Sequence, residues 1–425
     1  MQLAKGVRDV EPSQMIIKNK VLTIMRDVFE LYGFLPLETP IIERYETLAA
    51  KGGAEEDSDC LKETFKFQDQ GKRNLALRFE LTTSLARYLS CNPNTKLPFK
   101  RYEMGEVFRD GPIKLGRYRE LWQCDIDTVG TNSMLADAEI ATMANAFFTQ
   151  ANLDVYFKIN NRKLLDGILE QAGIKETKEA IISIDKLDKI FEKGVREELL
   201  TRGYTQKQCD GIFELIRDGI SLSELKEKIT SEKGKEGISE LEELFTYLKA
   251  QGITNYKFDV SLARGQAYYT GTVMEAYLKN PAEKEPKGSL AGGGRYDDMV
   301  GKFIGGGRNV PAVGISFGLE PIMDVLTNRD EGTLKSTTKI LVIPINTISD
   351  CLAITEQLRR QGIPSEIAMG KKGISKNLEY AASLNIPFVA IVGEDELKAK
   401  KIKLRNMISG SEELLTVAEL IKELK

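Results

Sequence analysis

The chain contains no histidine, and this absence removes several kinds of chemistry at once. Imidazole acid–base catalysis, Ser-His-Asp nucleophiles and histidine-ligated metal sites all require that side chain. Only five cysteines are scattered over 425 residues, without a Cys-x-x-Cys pair, which favours a reducing compartment and neither a disulfide framework nor a zinc site. We therefore expect a cytoplasmic protein without a metal site of its own. Its chemistry would depend on arginine, lysine, carboxylates, hydroxyl groups or a magnesium ion brought with phosphates.

Long apolar runs and a strong charge bias are also missing. No apolar segment approaches the ~20 residues of a membrane span, and the opening MQLAKGVRDVEP lacks the apolar stretch of a secretory signal. The net charge of −3 argues against a protein that coats nucleic acid. The basic run at 398–405 is, taken alone, more typical of a solvated surface. At about 150 residues per domain, the length suggests roughly three units of a globular protein.

The apolar spacing predicts both helices and strands, and their distribution suggests an insertion and a separate C-terminal domain. Between about 161 and 250 the sequence is rich in helix-forming Lys, Glu, Leu and Ile, which indicates a helical insertion. After a polar linker near 327–337, strands and helices alternate, as in a small α/β domain. Elsewhere we predict helices at 14–32, 81–91, 134–152 and after 318, a hairpin turning near Gly71, and strands within 101–130, 256–262, 268–278 and 312–317.

The segment FRDGPIKLGRYRELWQCDID at 108–127 carries the densest set of candidate ligand-binding residues. Its loop holds four cations suited to a triphosphate or an RNA end, because a guanidinium binds phosphate through two hydrogen bonds. These cations are Arg109, Lys114, Arg117 and Arg119. Three polar residues then alternate and share one sheet face: Gln123, Asp125 and Asp127. For any one of these residues, a solvated charge on an edge hairpin is the favoured interpretation, but it is less so for the whole set.

Two further segments predict a pocket for a small ligand that has a carboxylate and a flat polar ring. LARGQAYYTG at 262–271 places Arg264 close to Tyr268 and Tyr269. AGGGRYDD at 291–298 offers glycines whose missing side chains let a ligand approach the backbone. These glycines are Gly292, Gly293 and Gly294. In LRFELTTSLARY, Glu80 and Thr82 share one face and suit an ammonium group, although a half-exposed strand end explains them as well.

The order of these segments resembles that of class II histidyl-tRNA synthetases over essentially the whole chain. The segments are KGVRDVEP (5–12), LETPIIE (37–43), LRFELTTSLARY (77–88), the FRDG…GRYRE loop, LARGQAYYTG, AGGGRYDD and VGISFGLEPI (313–322). YAASLNIPFVAIVGEDEL at 380–397 is similar to the anticodon-binding domain of that family. The resemblance implies an α+β fold. A catalytic domain with a mostly antiparallel sheet would span 1–327, a linker 328–337, and an α/β anticodon-binding domain 338–425.

The resemblance also implies a function and a set of partners. The chain would join L-histidine to tRNA(His) through a histidyl-adenylate, with ATP as substrate and Mg²⁺, as a cytoplasmic homodimer without membrane attachment. The helical insertion would touch the acceptor arm of the tRNA. Candidate contacts of the C-terminal domain with the RNA backbone are Lys371, Lys372 and Lys376.

Roles for the site residues follow from the same resemblance. Glu80 and Thr82 would hold the α-ammonium group, with Gln123 fixing the amino-acid backbone. Asp127 and Tyr269 would read the imidazole, and Tyr268 would wall the pocket. Arg264 would contact the carboxylate and the α-phosphate. Arg109 would clamp the α-phosphate and Arg117 the distal phosphates, while the glycines at 292–294 would line the floor.

The sequence departs from the family at three positions, all of which concern ATP. Pro321 stands where the family has an arginine, Gly111 where it has a loop glutamate, and Leu121 where it has an aromatic residue. Trp122 and Arg308 are candidates to compensate.

These departures leave two alternatives to the ligase. A histidine-binding regulatory paralogue of histidine biosynthesis is one, although such paralogues generally lack the C-terminal domain and depart from the LARG…YYTG pattern. A prolyl or threonyl class II synthetase fits the fold, but it does not explain Tyr268 and Tyr269. Zinc-assisted threonine selection would also need the histidines that this chain lacks.

Overall fold

The structure, a computed structural model, describes residues 1–49, 59–113, 118–264, 268–305, 309–329, 335–370 and 373–425. These residues form two compact units, one of Met1–Arg8 with Val21–Val325 and one of Asp9–Lys20 with Leu326–Lys425. The expected α+β class is confirmed. No helix in the described ranges has the length and apolarity needed to span a membrane.

The helices have the following bounds: α1 Pro12–Leu31, α2 Tyr45–Ala49, α3 Asp59–Lys62, α4 Thr82–Cys91, α5 Met134–Gln150, α6 Arg162–Gln171, α7 Thr177–Ile184, α8 Leu187–Thr201, α9 Gln206–Leu215, α10 Leu222–Lys228, α11 Glu232–Ala250, α12 Asp297–Ile304, α13 Leu319–Arg329, α14 Ile348–Arg360, α15 Ile374–Ser383, α16 Glu394–Lys398 and α17 Val417–Leu424. The strands are β1 Leu35–Pro36, β2 Ile42–Arg44, β3 Lys66–Gln68, β4 Asn74–Leu77, β5 Phe99–Phe108, β6 Glu120–Val129, β7 Val155–Asn161, β8 Tyr256–Phe258, β9 Thr272–Leu278, β10 Ala291–Arg295, β11 Ala312–Gly318, β12 Ile340–Pro344, β13 Ser365–Ile367, β14 Phe388–Val392, β15 Ile402–Asn406 and β16 Glu412–Leu415.

An eight-stranded sheet is the centre of the first unit. Its strand order is β1-β5-β6-β11-β10-β9-β7-β8, and only the outermost pairs, β1 with β5 and β7 with β8, are parallel. One face is covered by α5, where the rings of Phe147 and Phe148 lie 5.2 and 5.7 Å from that of Phe317 on β11. Because side chains alternate along a strand, Ser316 and Gly314 belong to the opposite face. That opposite face carries the pocket described below.

The helical texture predicted for about 161–250 is observed as the six helices α6 to α11. Glycines allow α6 and α11 to pack closely. A Cβ added to Gly167 would lie 2.5 Å from the Cα of Gly234, and one added to Gly237 would lie 2.5 Å from the backbone nitrogen of Leu164. Side chains at these positions would force the two helices apart.

The second unit has a five-stranded sheet with the order β13-β12-β14-β15-β16. Strands β12, β13 and β14 are parallel, whereas β15 and β16 add an antiparallel hairpin. The basic run at 398–405 was expected only as a solvated surface, and part of it forms β15. Ile402 and Leu404 are buried there, while Lys403 and Arg405 pair with Glu412 at 3.9 and 3.0 Å.

Candidate amino-acid and phosphate site

One pocket collects most of the residues that the sequence singled out. It lies over β6, β11 and β10, and its walls also include the segment before α4 and the segments on either side of residues 265–267. The predicted residues that line it are Glu80, Thr82, Arg109, Gln123, Asp127, Arg264, Tyr268, Tyr269, Gly292 and Gly293. Gly294 lies just beneath, since a Cβ there would be 3.1 Å from the ring of Tyr269. Arg117 and Lys114 lie outside the described residues.

The floor of the pocket is formed by three adjacent strands in register. Ser316 of β11 lies opposite Asp125 of β6 on one side and Gly292 of β10 on the other. A side chain at either glycine of this floor would displace groups of the protein. A Cβ on Gly292 would fall 1.6 Å from Nη1 of Arg264, and one on Gly314 would fall 2.0 Å from Oδ1 of Asp127. The missing side chains therefore make room for charged groups of the protein itself.

A buried ion network lies at one end of the floor. Arg101 is fully buried, and its Nη2 lies 2.8 Å from Oδ2 of Asp127. The other oxygen of Asp127 accepts a hydrogen bond from the hydroxyl of Tyr296. Burial raises the pKa of Asp127, and Arg101 opposes that rise. Glu103 pairs with Arg78 at 2.9 Å and with Arg101 at 3.6 Å. Both Asp127 and Glu103 are thus held by arginines of the protein.

Asp125 lies between this network and Gln123 and is bound differently. Gln123 donates a hydrogen bond to Ser316 at 3.0 Å, and Ser316 in turn bonds to Asp125. Asp125 is only 4% exposed, yet among the described residues its Oδ1 has no hydrogen-bond partner. Burial raises the pKa of Asp125 to about 7, against the opposing charge of Arg101. Sequence reasoning placed Asp125 on the correct face, but it did not include this residue in the candidate site.

The remaining walls combine an acidic group with aromatic rings. Glu80 is buried and accepts a hydrogen bond from the hydroxyl of Thr83 at 2.6 Å. The rings of Tyr268 and Tyr269 lie 4.7 Å apart, and Tyr268 meets Tyr296 edge-on at 6.2 Å. Burial raises the pKa of Tyr268 well above its ordinary value, so its hydroxyl stays protonated at neutral pH. These walls suit a flat ligand that carries a positive group.

Two arginines stand at the rim of the pocket. The backbone of Arg264 has φ 48°, a left-handed conformation that costs energy for a residue with a side chain. Its Nη1 lies 3.0 Å from Glu275. Burial lowers the pKa of Arg264, but Tyr269 and Glu275 outweigh that effect, and the guanidinium stays charged. Arg109 packs over the ring of Phe79, with its Cζ 4.6 Å from the ring centroid.

The loop that follows Arg109 is held by the N-terminal segment. The backbone nitrogen of Arg109 donates to the carbonyl of Arg119 at 2.9 Å, and that of Arg119 donates to the carbonyl of Gly6 at 2.8 Å. The hydroxyl of Tyr118 accepts from Arg8 at 3.1 Å, and the guanidinium of Arg8 lies 4.1 Å from the centre of the Tyr118 ring. No pattern in the sequence indicates that residues 6–8 contact Tyr118 and Arg119.

The structure gives a physical reason for two of the three departures from the family pattern. A Cβ on Gly111 would lie 2.6 Å from the carboxyl carbon of Glu63, so a neighbouring segment brings a carboxylate to this position. Pro321 lies in the first turn of α13, where a missing N–H is tolerated. Leu121 is half-buried and pairs with Val107 of β5. The structure provides no explanation for leucine rather than an aromatic residue at this position.

The structure describes only some of the residues that could compensate for these departures or contact tRNA. The backbone nitrogen of Trp122 donates to Glu320 at 3.0 Å, which ties β6 to the start of α13. Arg308, Lys371 and Lys372 lie outside the described residues, while Lys376 is exposed on α15. Within the described ranges, no group of three cysteine, aspartate or glutamate side chains could hold a metal ion.

Taken together, the geometry defines a site for an amino acid beside a site for phosphate. A buried acidic group suits an ammonium, aromatic walls suit a flat ring, and arginines at the rim suit a carboxylate and phosphates. Because no side chain in this chain is an imidazole, charge stabilisation by arginine is the chemistry that the pocket can supply. An enzyme that activates an amino acid with a nucleotide needs this combination.

Comparison with known proteins agrees with that class. The histidyl-tRNA synthetase family model matches residues 6–322, and an anticodon binding domain model matches residues 339–425. A curated relative from Bacillus cereus, "Histidine--tRNA ligase 1", is 44% identical over 99% of this chain and 96% of its own length. The crystal structure of histidyl-tRNA synthetase from Nostoc sp. PCC 7120 has a TM-score of 0.87 and 32% identity, covering 100% of this chain and 98% of that one. The chain belongs to the histidyl-tRNA synthetase family.

Proposed function

We propose that this protein joins L-histidine to tRNA(His) in two steps: formation of histidyl-adenylate from ATP and histidine, then transfer of the histidyl group to the tRNA. The observation that carries the proposal is the single pocket in which Glu80, Arg109, Arg264 and the tyrosine pair meet. The sequence family supports the same activity, because curated ligases match over the whole chain. The identity of the amino acid rests on the end of the pocket that the tyrosines and the carboxylates of β6 line.

In the proposed first step, the protein needs to position and stabilise rather than to remove a proton. The carboxylate of histidine is already ionised at neutral pH, so it can attack the α-phosphate without a general base. Negative charge at the phosphorus centre would be stabilised by Arg109 and Arg264. Glu80, Thr82 and Gln123 would hold the α-ammonium end, which directs the carboxylate toward these arginines. Arg117, which lies outside the described residues, remains our candidate for the distal phosphates.

Selection of histidine would depend on hydrogen bonds to its ring. Tyr268, Tyr269 and Tyr296 form walls that fit a flat ring, and the carboxylates of β6 offer acceptors for a ring N–H. A site built to bond a polar ring leaves buried polar atoms unpaired when a different amino acid enters. Bound proline or threonine would leave those polar atoms unpaired. The pocket therefore fits a prolyl- or threonyl-tRNA synthetase less well.

Magnesium is proposed as a companion of ATP rather than as a resident of the protein. In the proposal the ion is held mainly by phosphate oxygens and water. Such an ion would neutralise charge on the triphosphate. The chain's own contribution would remain the two arginines at the rim.

The remaining parts of the proposal concern partners. We propose residues 1–327 as the catalytic domain, 328–337 as a linker and 338–425 as the domain that approaches the anticodon, with exposed Lys376 as one backbone contact. The protein would act as a cytoplasmic homodimer. A match to an anticodon-binding model at 339–425 favours the ligase over a regulatory paralogue, because a regulator of biosynthesis has no use for such a domain.

Histidine-dependent exchange of pyrophosphate into ATP tests the proposal directly. The purified protein with Mg²⁺, ATP and histidine should exchange labelled pyrophosphate, and proline or threonine should not replace histidine. Binding of histidine without exchange would instead identify a regulatory paralogue. Equal exchange with the other amino acids would contradict the proposed substrate. Transfer of labelled histidine to tRNA(His) then tests the second step.

A further inference from the structure

The guanidinium of Arg264 enters the pocket from a strained backbone. At this residue φ is 48°, a left-handed conformation that persists in a residue with a side chain only where surrounding contacts hold it. The guanidinium lies over Gly292, because Nη1 is 1.6 Å from the position that a Cβ on that glycine would take. The ring centroid of Tyr269 lies 5.7 Å from Cζ, near the outer limit for attraction between a cation and a ring. The glycine provides space and the ring provides a weak attraction, so another group has to fix the guanidinium.

The carboxylate of Glu275 has the position and the charge to do so. Glu275 lies on β9 directly opposite Gly292 of β10, and residues paired in this way point to the same face of the sheet. Its Oε1 is 3.0 Å from Nη1 of Arg264. The side chains of Glu275 and Arg264 are only 15% and 19% exposed, so water and salt screen their attraction less than at the surface. Because Gly292 has no side chain, the two charged groups meet above it.

The second oxygen of Glu275 is fixed by Tyr277, two residues further along the same face of β9. Oε2 accepts a hydrogen bond from the Tyr277 hydroxyl. Burial and the charge of Glu275 raise the pKa of Tyr277, so its hydroxyl remains a donor at neutral pH. The Tyr277 ring stacks on that of Tyr156 with centroids 5.8 Å apart, and Nζ of Lys158 lies 5.3 Å from its centre. This second contact keeps the first oxygen turned toward Arg264.

The three side chains differ in their access to substrates. Arg264 lines the pocket, whereas Glu275 and Tyr277 lie outside the residues that form its walls. The ion pair with Glu275 involves Nη1, and a guanidinium carries five N–H groups in all. Arg264 therefore keeps donors for the oxygens of a carboxylate or a phosphate while Glu275 holds it from the opposite side.

From these contacts we infer that Glu275 is a positioning residue for adenylate formation. It holds the guanidinium of Arg264 over Gly292, and Tyr277 in turn holds Glu275. The inference rests on the proposed function, since it takes Arg264 as a group that stabilises charge at the α-phosphate. Glu275 acts only through that arginine and contributes no contact to histidine or ATP.

A double-mutant cycle measured by histidine-dependent pyrophosphate exchange tests the inference. A group displaced by about 1 Å at a reacting centre costs about 10²-fold in rate. Glu275→Ala should therefore lower kcat by about 10²-fold and change the KM values for histidine and ATP by less than about threefold. In an Arg264→Ala background no guanidinium is left to misplace, so the same change should alter kcat by less than about twofold. A merely structural role of Glu275 would lower kcat by the same factor in both backgrounds and would overturn the inference.

Two conservative variants test the same contacts without a truncation of Glu275. Glu275→Gln keeps an acceptor for Arg264 and should recover about tenfold of the loss seen with alanine. Tyr277→Phe removes only the hydroxyl that fixes Oε2 and should lower kcat by about 10-fold, the value of a hydrogen bond to a charged group. Tyr156→Phe is the matched control, because it removes the same atom from the ring stacked on Tyr277, and it should leave kcat unchanged.

The possible failures are distinguishable. If the natural chain shows no histidine-dependent exchange, the proposed function itself fails. If the natural chain exchanges and Glu275→Ala does so at the same kcat, or changes only a KM, the positioning role alone is wrong. Should Glu275→Ala not fold in urea unfolding experiments, Glu275→Gln and Tyr277→Phe decide the question, and equal kcat values for Tyr277→Phe and Tyr156→Phe would overturn the inference.

Discussion

Replacing Asp125 with asparagine should stabilise the unliganded protein at neutral and alkaline pH, although Asp125 lies in the binding pocket. Burial raises the pKa of Asp125 to about 7, compared with 3.8 for an ordinary aspartate. Between these values the unfolded chain releases a proton that the folded chain retains, so the free energy of unfolding falls as pH rises from about 4 to about 7. The difference corresponds to about 4 kcal/mol above pH 7. Asparagine avoids this penalty and loses about 1–2 kcal/mol of bonding to Ser316, which leaves a net gain of about 2–3 kcal/mol.

Urea unfolding followed by tryptophan fluorescence measures the stability of the compact unit that contains the pocket. Trp122 is the only tryptophan, and it lies on β6 beside the pocket. The gain from Asp125→Asn should be close to zero near pH 4.5 and should reach ~2–3 kcal/mol at pH 8. Asp127→Asn is the matched comparison. It removes the shorter of the two ion pairs of buried Arg101, leaving only Glu103 at 3.6 Å, and should lose about 3–5 kcal/mol. A variant at Asp125 that is less stable than the natural chain at pH 8 would refute the reasoning, because it would mean that the protein itself compensates this carboxylate.

Three further substitutions test the phosphate side of the site. Arg264→Ala should reduce histidine-dependent pyrophosphate exchange by about 10²–10³-fold with a small change in the urea midpoint; retained exchange would remove Arg264 from the mechanism. Gly292→Ala should reduce exchange to a similar extent, because its Cβ would lie 1.6 Å from Nη1 of Arg264, and normal exchange would show that the guanidinium does not need that position. Gly6→Ala should raise the KM for ATP and leave that for histidine unchanged. The reason is local, because the added Cβ would lie 2.8 Å from the Arg119 side chain and the φ of residue 6 is +88°. Equal changes in both KM values would argue against a local effect on the loop.

The sequence predicted which residues line the pocket better than it predicted the contacts among those residues. Segments that are more than 180 residues apart, such as those of Glu80 and Arg264, meet in one cavity as expected. The family resemblance supplied this information, because no local pattern connects such distant residues. What the sequence could not predict is which carboxylate is neutralised. That depends on Arg101, whose position on β5 opposite Asp127 is a matter of strand register.

Two elements were predicted incompletely for different reasons. In β15 the alternation of Ile402 and Leu404 with Lys403 and Arg405 is the period-2 signal of a half-buried strand, but the high density of lysine favoured a surface interpretation. The glycines of β10 have low strand propensity, and the sequence indicated only a ligand-contacting floor. Their extended conformation follows from pairing with β9 and β11 on both sides, which is a tertiary effect.

A site without imidazole is consistent with the reaction proposed here, because the reaction requires no group that titrates near neutral pH to act as a base. The nucleophile is a carboxylate that is ionised throughout the physiological range, and the leaving group is a pyrophosphate whose charge Arg109 and Arg264 can offset. Arginine stays charged even when it is half-buried beside tyrosines, as Arg264 is. Burial raises the pKa of Asp125, which lines the amino-acid end of the pocket, to about 7. Changes of pH near neutrality should therefore alter the binding of the amino acid before they alter phosphate chemistry.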